Sequence, residues 1–243
     1  MKGLLRWTLL LAAALLALQL FFVARIALMV AVNPQSSAFE RSEAWRLLNE
    51  KDKLRWRQQW VDYADISDHL KRAVIASEDD GFTYHDGVDW DALEKAWQKN
   101  AKAEAQAAKK AANGARVVKP PKVVGGSTIT QQLAKNLFLS GERTFVRKGQ
   151  EFVLTFLLER LLSKRRILEI YLNHVEWGEG VFGAEAAAQH YFRKPASRLT
   201  PLEAARLAVM LPRPKYFEKL PNSSYLAERS AVIAGRLWNA ELP

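Results

Sequence analysis

The chain has 243 residues, carries a formal net charge of +10 at pH 7 and contains no cysteine. This length allows one or two domains with a sizeable core, and the lack of cysteine excludes disulfides and thiolate metal sites. The four histidines have no spacing typical of a helical zinc motif, which argues against a zinc enzyme. The basic balance favours an anionic partner, such as phosphates, nucleic acid or an anionic membrane surface.

The chain opens with a long apolar stretch. Residues 7–24 are apolar except for Thr8 and Gln19, and after one arginine the apolar run continues to Val32. About 20 apolar residues are enough to cross the hydrocarbon core of a bilayer. We therefore predict a single-pass transmembrane helix over residues 7–32.

The competing interpretation of this stretch is a cleaved secretory signal peptide. The apolar run is longer than a usual signal-peptide core, and no small-x-small cleavage site precedes the polar chain at Asn33. We therefore predict an uncleaved anchor in the cytoplasmic (inner) membrane, with residues 1–6 in the cytoplasm and the domain on the outer, periplasmic side. This orientation depends partly on the function inferred below, because basic residues flank the span on both sides.

Residues 33–66 are predicted to form a membrane-proximal segment. It contains Trp45, Trp56 and Trp60 among several lysines and arginines. Aromatic and basic residues close to an anchor could lie along lipid headgroups. Alternatively, the segment forms a lid that packs its tryptophans inward, and the sequence does not decide between the two.

A short helix and an acidic turn follow at residues 67–89. Ser67 is a suitable N-cap, residues up to Ser77 show helical spacing, and Gly81 is placed to end the helix. Glu78 and two aspartates would then crowd at a helix C-terminus, which disfavours negative charge and raises the pKa of a carboxyl group. Such a group suits general acid or base catalysis. A solvated acidic turn is the simpler alternative for this stretch alone.

The composition changes at residues 98–122, which are rich in lysine and alanine. The first part could form a marginal helix without an apolar face, and Asn113-Gly114 and Pro120-Pro121 would break it. We predict a flexible, basic insertion, which forms either a flap over a site or only a long loop.

Two glycines and a helix start are found at residues 125–136. Thr128, with Gln131 three residues later, predicts a capping box. Ser127, Gln131 and Lys135 would then share a polar face. Glycines, a hydroxyl and a helix N-terminus favour an anion, with Lys135 as a point charge two turns into the helix. An ordinary capped amphipathic helix is the alternative.

A second helix is predicted from Arg143 to Leu162. Arg143, Arg147 and Glu151 stand at i, i+4 and i+8, with Lys148 beside them. Such a row is either a surface ladder of ion pairs or a guanidinium cluster for a polyphosphate, oriented by Glu151.

The rest of the chain predicts further helices and few strands. Helices are expected over residues 163–173 and 224–239. Thr200 and Glu203 form a second capping box, and the helix that it opens ends near Pro212. We therefore expect a mainly α-helical, single catalytic domain without internal repeats.

Four stretches together resemble peptidoglycan glycosyltransferase family 51, the domain of monofunctional biosynthetic transglycosylases and of class A penicillin-binding proteins. They are EDDGFTYHDGVD at 78–89, GGSTITQQLAKN at 125–136, RTFVRKGQE at 143–151 and KRRILEIYLNHVEWGEGVFGAEAAAQHYF at 164–192. The resemblance covers roughly residues 60–215. No transpeptidase domain follows before Pro243, so we expect the monofunctional, membrane-anchored type.

The resemblance implies a lysozyme-like helical large lobe and a small membrane-proximal lobe, within a glycosyltransferase domain over residues 67–243. It also implies that lipid II is polymerised into linear glycan strands outside the cytoplasmic membrane. The transfer would invert C1 of the donor sugar and release undecaprenyl pyrophosphate.

Residue by residue, Glu78 matches the family's catalytic base. Glu151 matches a second acidic residue, which organises the cations or helps the leaving group. Lys135 and Arg143 match pyrophosphate-binding positions, and the same groove would be lined by Ser127, Gln132, Asn136, Arg147 and Lys148. A phosphate leaving group needs no proton from an acid where fixed cations stabilise its negative charge. This agrees with one carboxylate that faces several lysine and arginine side chains.

No cofactor is expected to be required. A divalent cation, Mg²⁺ or Mn²⁺, could assist at the pyrophosphate, although no protein ligand set for it is readable in the sequence. His85 is expected to hydrogen-bond within the 78–89 turn rather than to react. The expected partners are lipid II, the growing glycan strand and the membrane. Division or elongation proteins are a hypothesis from location only, and no nucleic acid is expected.

Two rival functions are considered beside this one. The first is a membrane-anchored, lysozyme-like glycan hydrolase with Glu78 as its acid. Its neutral glycosidic leaving group would not require the cation set at positions 135, 143, 147 and 148. The second is a basic membrane scaffold or nucleic-acid binder, whose salt-dependent binding would not depend on Glu78.

Overall fold

The computed structural model describes residues 2–51, 55–112, 125–142 and 144–243. Within these ranges the chain is mainly helical. The helices are α1 (Lys2–Leu28), α2 (Ala38–Lys51), α3 (Asp68–Glu78), α4 (Trp90–Ala112), α5 (Ile129–Phe138), α6 (Phe145–Leu161), α7 (Lys164–His174), α8 (Ala184–Phe192), α9 (Pro201–Met210), α10 (Pro214–Lys219) and α11 (Ser224–Arg236). The strands are β1 (Arg57–Gln58), β2 (Glu176–Gly178) and β3 (Val181–Phe182).

Helix α1 carries the predicted anchor. It is the one helix in the described ranges that is long and apolar enough to cross a membrane, with a mean hydropathy of 2.3 in its most apolar window. The helix begins at Lys2, before the predicted span, and ends at Leu28, so residues 29–32 form turns instead of helix.

The core is built by amphipathic helices that pack against one another. Helix α3 packs on α9 and α11, and helix α5 packs on α6 and α7. Helix α3 presents Leu70, Ala73 and Val74 inward at helical spacing, and all three are fully buried. On α5 the inward residues are Ile129 and Leu133, again at helical spacing. Two motif-bearing helices, α3 and α5, are therefore fixed by the same core.

A small sheet connects the membrane-proximal segment to the domain. Its strand order is β1-β3-β2, with β1 parallel and β2 antiparallel to β3. Gly180 joins β2 to β3 at a φ of +71°, and a Cβ at this position would lie 1.9 Å from the Arg55 carbonyl oxygen. Only glycine therefore allows residues 55–58 to pair with β3.

The tryptophans of this segment divide between the two interpretations that the sequence left open. Trp56 stacks on Phe182 with ring centroids 4.5 Å apart, and Trp60 packs edge-on against His174. Inward packing is therefore correct for these two. Trp45, on α2, is 71% exposed and remains available to a lipid surface.

The lysine- and alanine-rich stretch continues an existing helix. Helix α4 starts at Trp90 and runs to Ala112 without a break at residue 98, so the change in composition does not mark an element boundary. Residues 113–122 of the predicted insertion lie outside the described residues.

The ends of other helices differ from the predicted ones by a few residues. Helix α3 ends at Glu78, three residues before Gly81. Helix α7 runs one residue past Asn173, whose side chain bonds the backbone of Val61 instead. Helix α10 was not predicted from the sequence.

Candidate active site

A cleft of about 470 Å³ lies between the N-terminal half of α6, helix α5 and the β2 region. Its wall combines three cations with three carboxylates, amides, two serine hydroxyls and an apolar rim. The lining residues are Phe39, Ser127, Gln131, Gln132, Lys135, Asn136, Leu139, Ser140, Gly141, Glu142, Arg147, Lys148, Glu151, Val175, Glu176, Leu211 and Pro214.

The structure brings together most of the residues that the sequence analysis named. Seven of them line this cleft: Ser127, Gln132, Lys135, Asn136, Arg147, Lys148 and Glu151. Glu78 adjoins the cleft through a hydrogen bond to Gln132. Arg143 lies outside the described residues.

Glu78 is the last residue of α3 and is partly buried. Gln132 donates from Nε2 to Glu78 Oε2 over 2.9 Å. Burial raises the pKa of the Glu78 carboxyl group, the hydrogen bond from Gln132 opposes this rise, and the charge of Asp79 adds to it. The predicted direction is therefore confirmed, but burial is a larger cause than crowding of acidic residues.

Asp79 ties the acidic turn to the start of α5. Its Oδ2 accepts from the backbone N–H of Ile129 over 2.9 Å, and its Oδ1 lies 2.8 Å from His85 Nε2. His85 Nδ1 in turn accepts from the backbone of Gly87. His85 thus shapes the turn, as predicted, and the motif at 78–89 is fixed to the motif at 125–136.

Gly87 is the point where three motif-bearing segments meet. Its φ is +85°, and its carbonyl accepts from Thr128 Oγ1 over 2.6 Å. A Cβ at this position would lie 2.7 Å from Thr155 Cγ2 and 2.8 Å from Glu159 Cγ, both on α6. The turn therefore packs directly on the helix that carries the cations.

Helix α5 starts as the sequence predicted. Thr128 and Gln131 form a reciprocal capping box, and the helix begins at Ile129. Gln131 is buried because its side chain serves this cap, whereas Ser127 precedes the helix and is exposed at the cleft. The predicted polar face is thus only partly available to a ligand.

Helix α6 carries a carboxylate between two cations. Glu151 is 4% exposed and accepts from Arg147 over 2.7 Å through one oxygen and from Lys148 through the other. Lys135 on α5 is exposed to the cleft. Partial desolvation lowers the pKa of Lys135, Glu151 opposes this, and Arg147 and Lys148 add to it. The arrangement is an oriented cation cluster rather than a ladder on an open surface.

Gln132 has a second contact that the sequence did not reveal. The hydroxyl of Tyr171 donates to Gln132 Oε1 over 3.0 Å, and Tyr171 is 1% exposed. The amide of Gln132 therefore lies between the buried tyrosine and Glu78. From the sequence, Tyr171 is part of an apolar helical run and gives no sign of a polar role.

Glu176 is another cleft residue that sequence reasoning missed. Burial raises the pKa of its carboxyl group to about 7, while Lys215, 3.1 Å away, acts in the opposite direction. Glu176 lies in the short strand β2, where no spacing pattern could have singled it out.

The anchor contacts the helix that carries the cations. Gln19 on α1 and Gln150 on α6 exchange two side-chain hydrogen bonds of 3.0 and 3.2 Å. A lone amide in an apolar span is a recognisable signal for contact with another helix, because amides in lipid seek hydrogen-bond partners.

Comparison with known proteins agrees with this geometry. A family model described as "Transglycosylase" matches residues 46–237. A protein of Burkholderia thailandensis named "Biosynthetic peptidoglycan transglycosylase" is 56% identical over 232 residues, covering 96% of this chain and 84% of the relative. Proteins of the same name from Burkholderia orbicola and Burkholderia vietnamiensis are 53% and 51% identical, covering 96% and 99% of this chain and 88% and 94% of the relatives.

The family model covers most of the chain, including all four motifs and every described residue of the cleft's cation cluster. The relatives exceed half identity over nearly the whole sequence. The chain therefore belongs to the transglycosylase family.

Proposed function

We propose that this protein is a peptidoglycan glycosyltransferase that polymerises lipid II, with Glu78 as its general base. The reaction class follows from the family and from relatives named biosynthetic peptidoglycan transglycosylases. The observation that supports the mechanism is the Glu78 carboxyl group, whose pKa is raised by burial and which is joined through Gln132 to a cleft lined by three cations.

Glu78 takes the proton from the 4-hydroxyl of the acceptor N-acetylglucosamine. The oxygen then forms a bond to C1 of the donor N-acetylmuramic acid, and the bond from C1 to the pyrophosphate oxygen breaks. Attack from the face opposite the leaving group inverts C1. A raised pKa brings a carboxylate closer to the acidity that proton abstraction near neutral pH requires.

The cation cluster receives the leaving pyrophosphate. Lys135, Arg147 and Lys148 provide fixed positive charge where negative charge develops, and such preorganised charge stabilises a transition state without reorganisation. Ser127 and Asn136 add a hydroxyl and an amide to the same wall. Arg143 joins this set by its match to the family motif. Glu151 holds two of the cations in place.

A glycan hydrolase is the second candidate, and the ion pairs of the cleft carboxylates argue against it. A glycosidase of this type needs two carboxyl groups that face the scissile bond. Glu151 has both oxygens engaged by Arg147 and Lys148, so it is not free to act as the second group. Glu176, the other buried carboxyl group of the cleft, is paired with Lys215 over 3.1 Å. A neutral leaving group would also gain little from the cations.

The donor set fits a phosphate and does not fit a divalent metal ion held by the protein. The carboxylate beside the cations is already neutralised, and the neighbouring ammonium and guanidinium groups would repel a metal. We therefore assign no step to Mg²⁺ or Mn²⁺ and propose that no cofactor is required.

Helix α1 is long and apolar enough to cross a membrane, which supports a role as a membrane anchor. We propose that the membrane is the cytoplasmic membrane and that the domain lies on its outer side, where the lipid-linked substrate is polymerised. Division or elongation proteins are proposed partners from this location alone. Cross-linking in intact membranes followed by pull-down tests them, and a pull-down without such proteins would remove the proposal.

The decisive test is polymerisation of purified lipid II by the detergent-solubilised protein and its Glu78→Gln variant. Asp80→Asn is a matched control, because Asp80 is an exposed carboxylate of the same turn. We expect glycan chains and released undecaprenyl pyrophosphate from the wild type and the control, and neither from Glu78→Gln. Polymer from Glu78→Gln would remove Glu78 as the base. Shortening of preformed glycan without polymerisation would favour the hydrolase.

A further inference from the structure

Behind the proposed base lies a partly buried chain of two hydrogen bonds. Tyr171 on α7 donates to Gln132 Oε1 over 3.0 Å, and Gln132 Nε2 donates to Glu78 Oε2 over 2.9 Å. Three different helices, α7, α5 and α3, each contribute one member. Tyr171 lies 1% exposed within the core, so water cannot readily replace its contact.

The side-chain amide of Gln132 has two orientations, and they have opposite effects on Glu78. With Nε2 towards Glu78, the amide donates to a carboxylate and favours its ionised form. With Oε1 towards Glu78, the amide can only accept, so it favours a protonated Glu78 and repels the carboxylate. The orientation of this amide therefore influences whether Glu78 is ready to accept a proton.

The hydroxyl of Tyr171 selects the first orientation. Burial, together with the charges of Glu78 and Asp79, raises the pKa of Tyr171 well above its usual range, so the hydroxyl keeps its proton. Gln132 is its one hydrogen-bond partner within the described ranges. If the amide turned over, two donors would face each other and the buried hydroxyl proton would lose its acceptor.

The charged groups described around Glu78 do not lower its pKa as the hydrogen bond from Gln132 does. Among the described residues, Asp79 is the one charge that acts on the Glu78 carboxyl group appreciably, and its negative sign raises the pKa. Asp79 is itself engaged by His85 and by the backbone of Ile129. Gln132 is thus the neighbour that lowers the pKa of Glu78, and Tyr171 is the residue that orients Gln132.

We propose that Tyr171 is a positioning residue for the general base, acting through the orientation of the Gln132 amide. The inference builds on the proposed role of Glu78. Tyr171 itself does not touch the reacting atoms. Its effect is to keep Gln132 Nε2 hydrogen-bonded to Glu78, so that Glu78 is ionised before the 4-hydroxyl of the acceptor sugar binds.

The test is the pH dependence of kcat/KM for lipid II polymerisation by the full-length Tyr171→Phe variant. The acid limb of this profile reports the pKa of the base in the free enzyme. We expect the limb to move upward by about half to one pH unit, which corresponds to the loss of one net hydrogen bond. Below the limb, the rate should fall about three- to tenfold, with little change above it.

Tyr191→Phe is the matched control. Its hydroxyl donates over 2.8 Å to the backbone oxygen of Trp177, away from Glu78, so the variant loses one hydrogen bond without touching the chain behind the base. We expect its acid limb to coincide with that of the wild type. An equal shift in both variants would indicate a general loss of packing and would overturn the proposal.

If Tyr171→Phe does not fold, Gln132→Met tests the same chain of hydrogen bonds. Gln132→Met keeps the length of the side chain but removes the donor to Glu78, so the acid limb should move upward at least as far. If both single variants fold, the double variant should show no shift beyond that of Gln132→Met, because Tyr171 acts through Gln132. An unmoved limb in Tyr171→Phe, or additive shifts in the double variant, would overturn the proposal.

Glu78→Gln separates this inference from the function beneath it. Polymerisation by Glu78→Gln means that the base has been assigned to the wrong residue, and the proposal for Tyr171 falls with it. An inactive Glu78→Gln together with an unshifted Tyr171→Phe leaves the proposed function standing and removes only the role of Tyr171.

Discussion

Replacing Gly87 by alanine should destabilise the domain strongly, because two separate costs meet at this residue. Its φ of +85° lies in the left-handed region, where an L side chain costs about 1–2 kcal/mol. The added Cβ would also lie 2.7 Å from Thr155 Cγ2 and 2.8 Å from Glu159 Cγ. Neither neighbour can retreat freely, since the Glu159 carboxylate is held by Thr130 and Lys164.

The two costs give an estimate that can be measured. Overpacking of this kind costs about 1–3 kcal/mol, so we expect a total of about 2–5 kcal/mol for Gly87→Ala. For a domain of this size, that free energy lowers Tm by roughly 5–15 °C. Thermal unfolding of the detergent-solubilised protein, followed by circular dichroism, measures the change.

Two further variants separate strain from crowding. In Gly87→Ala with Thr155→Ser, the nearest methyl group is gone while the hydroxyl bond from residue 155 to the Glu151 carbonyl can remain. This double variant should recover part of the lost Tm, leaving the cost of the left-handed backbone and of the contact with Glu159 Cγ. Gly149→Ala is the control, because a Cβ there meets nothing within 4 Å and alanine favours the helix. A Gly87→Ala protein that melts like the wild type would refute the reasoning.

Three further predictions concern charge and anchoring. Glu176 binds its proton more tightly in the folded state, so Tm should decline as pH rises from 4.5 towards about 7, and Glu176→Gln should flatten this decline. Gln19→Leu should lower Tm in detergent by a few degrees, whereas Thr8→Leu, which loses only a bond within its own helix, should leave Tm unchanged. Glu151→Gln should slow lipid II polymerisation about tenfold or more, because a hydrogen bond to a charged group is worth about 1.5–3 kcal/mol. An unchanged rate would contradict the role of Glu151 in orienting the cations.

Local features of the structure could be read from the sequence because their causes are local. The capping boxes at Thr128 and Thr200 need only residues three positions apart, and both helices begin where the pattern predicted. The ion pairs around Glu151 follow in the same way from i, i+3 and i+4 spacing on one helix.

Features that depend on distant segments could not be read in this way. The pKa of Glu78 rises chiefly because the folded chain covers it, and the hydrogen bond from Tyr171 to Gln132 joins residues 39 positions apart. The inward packing of Trp56 and Trp60 likewise depends on Phe182 and His174, which follow more than a hundred residues later. Sequence spacing within one element contains no information about such pairs.

The turn that follows α1 fixes the domain relative to this apolar helix. Arg166 on α7 donates to the Met29 carbonyl over 2.8 Å and to Asn33 over 2.7 Å, and His174 pairs with Glu40 at the start of α2 over 2.7 Å. The domain is therefore held by its own helices rather than carried on a free stalk. With the proposed membrane placement, enzyme and lipid-linked substrate would meet by lateral diffusion at a constant height, without the entropy loss of drawing in a slack tether.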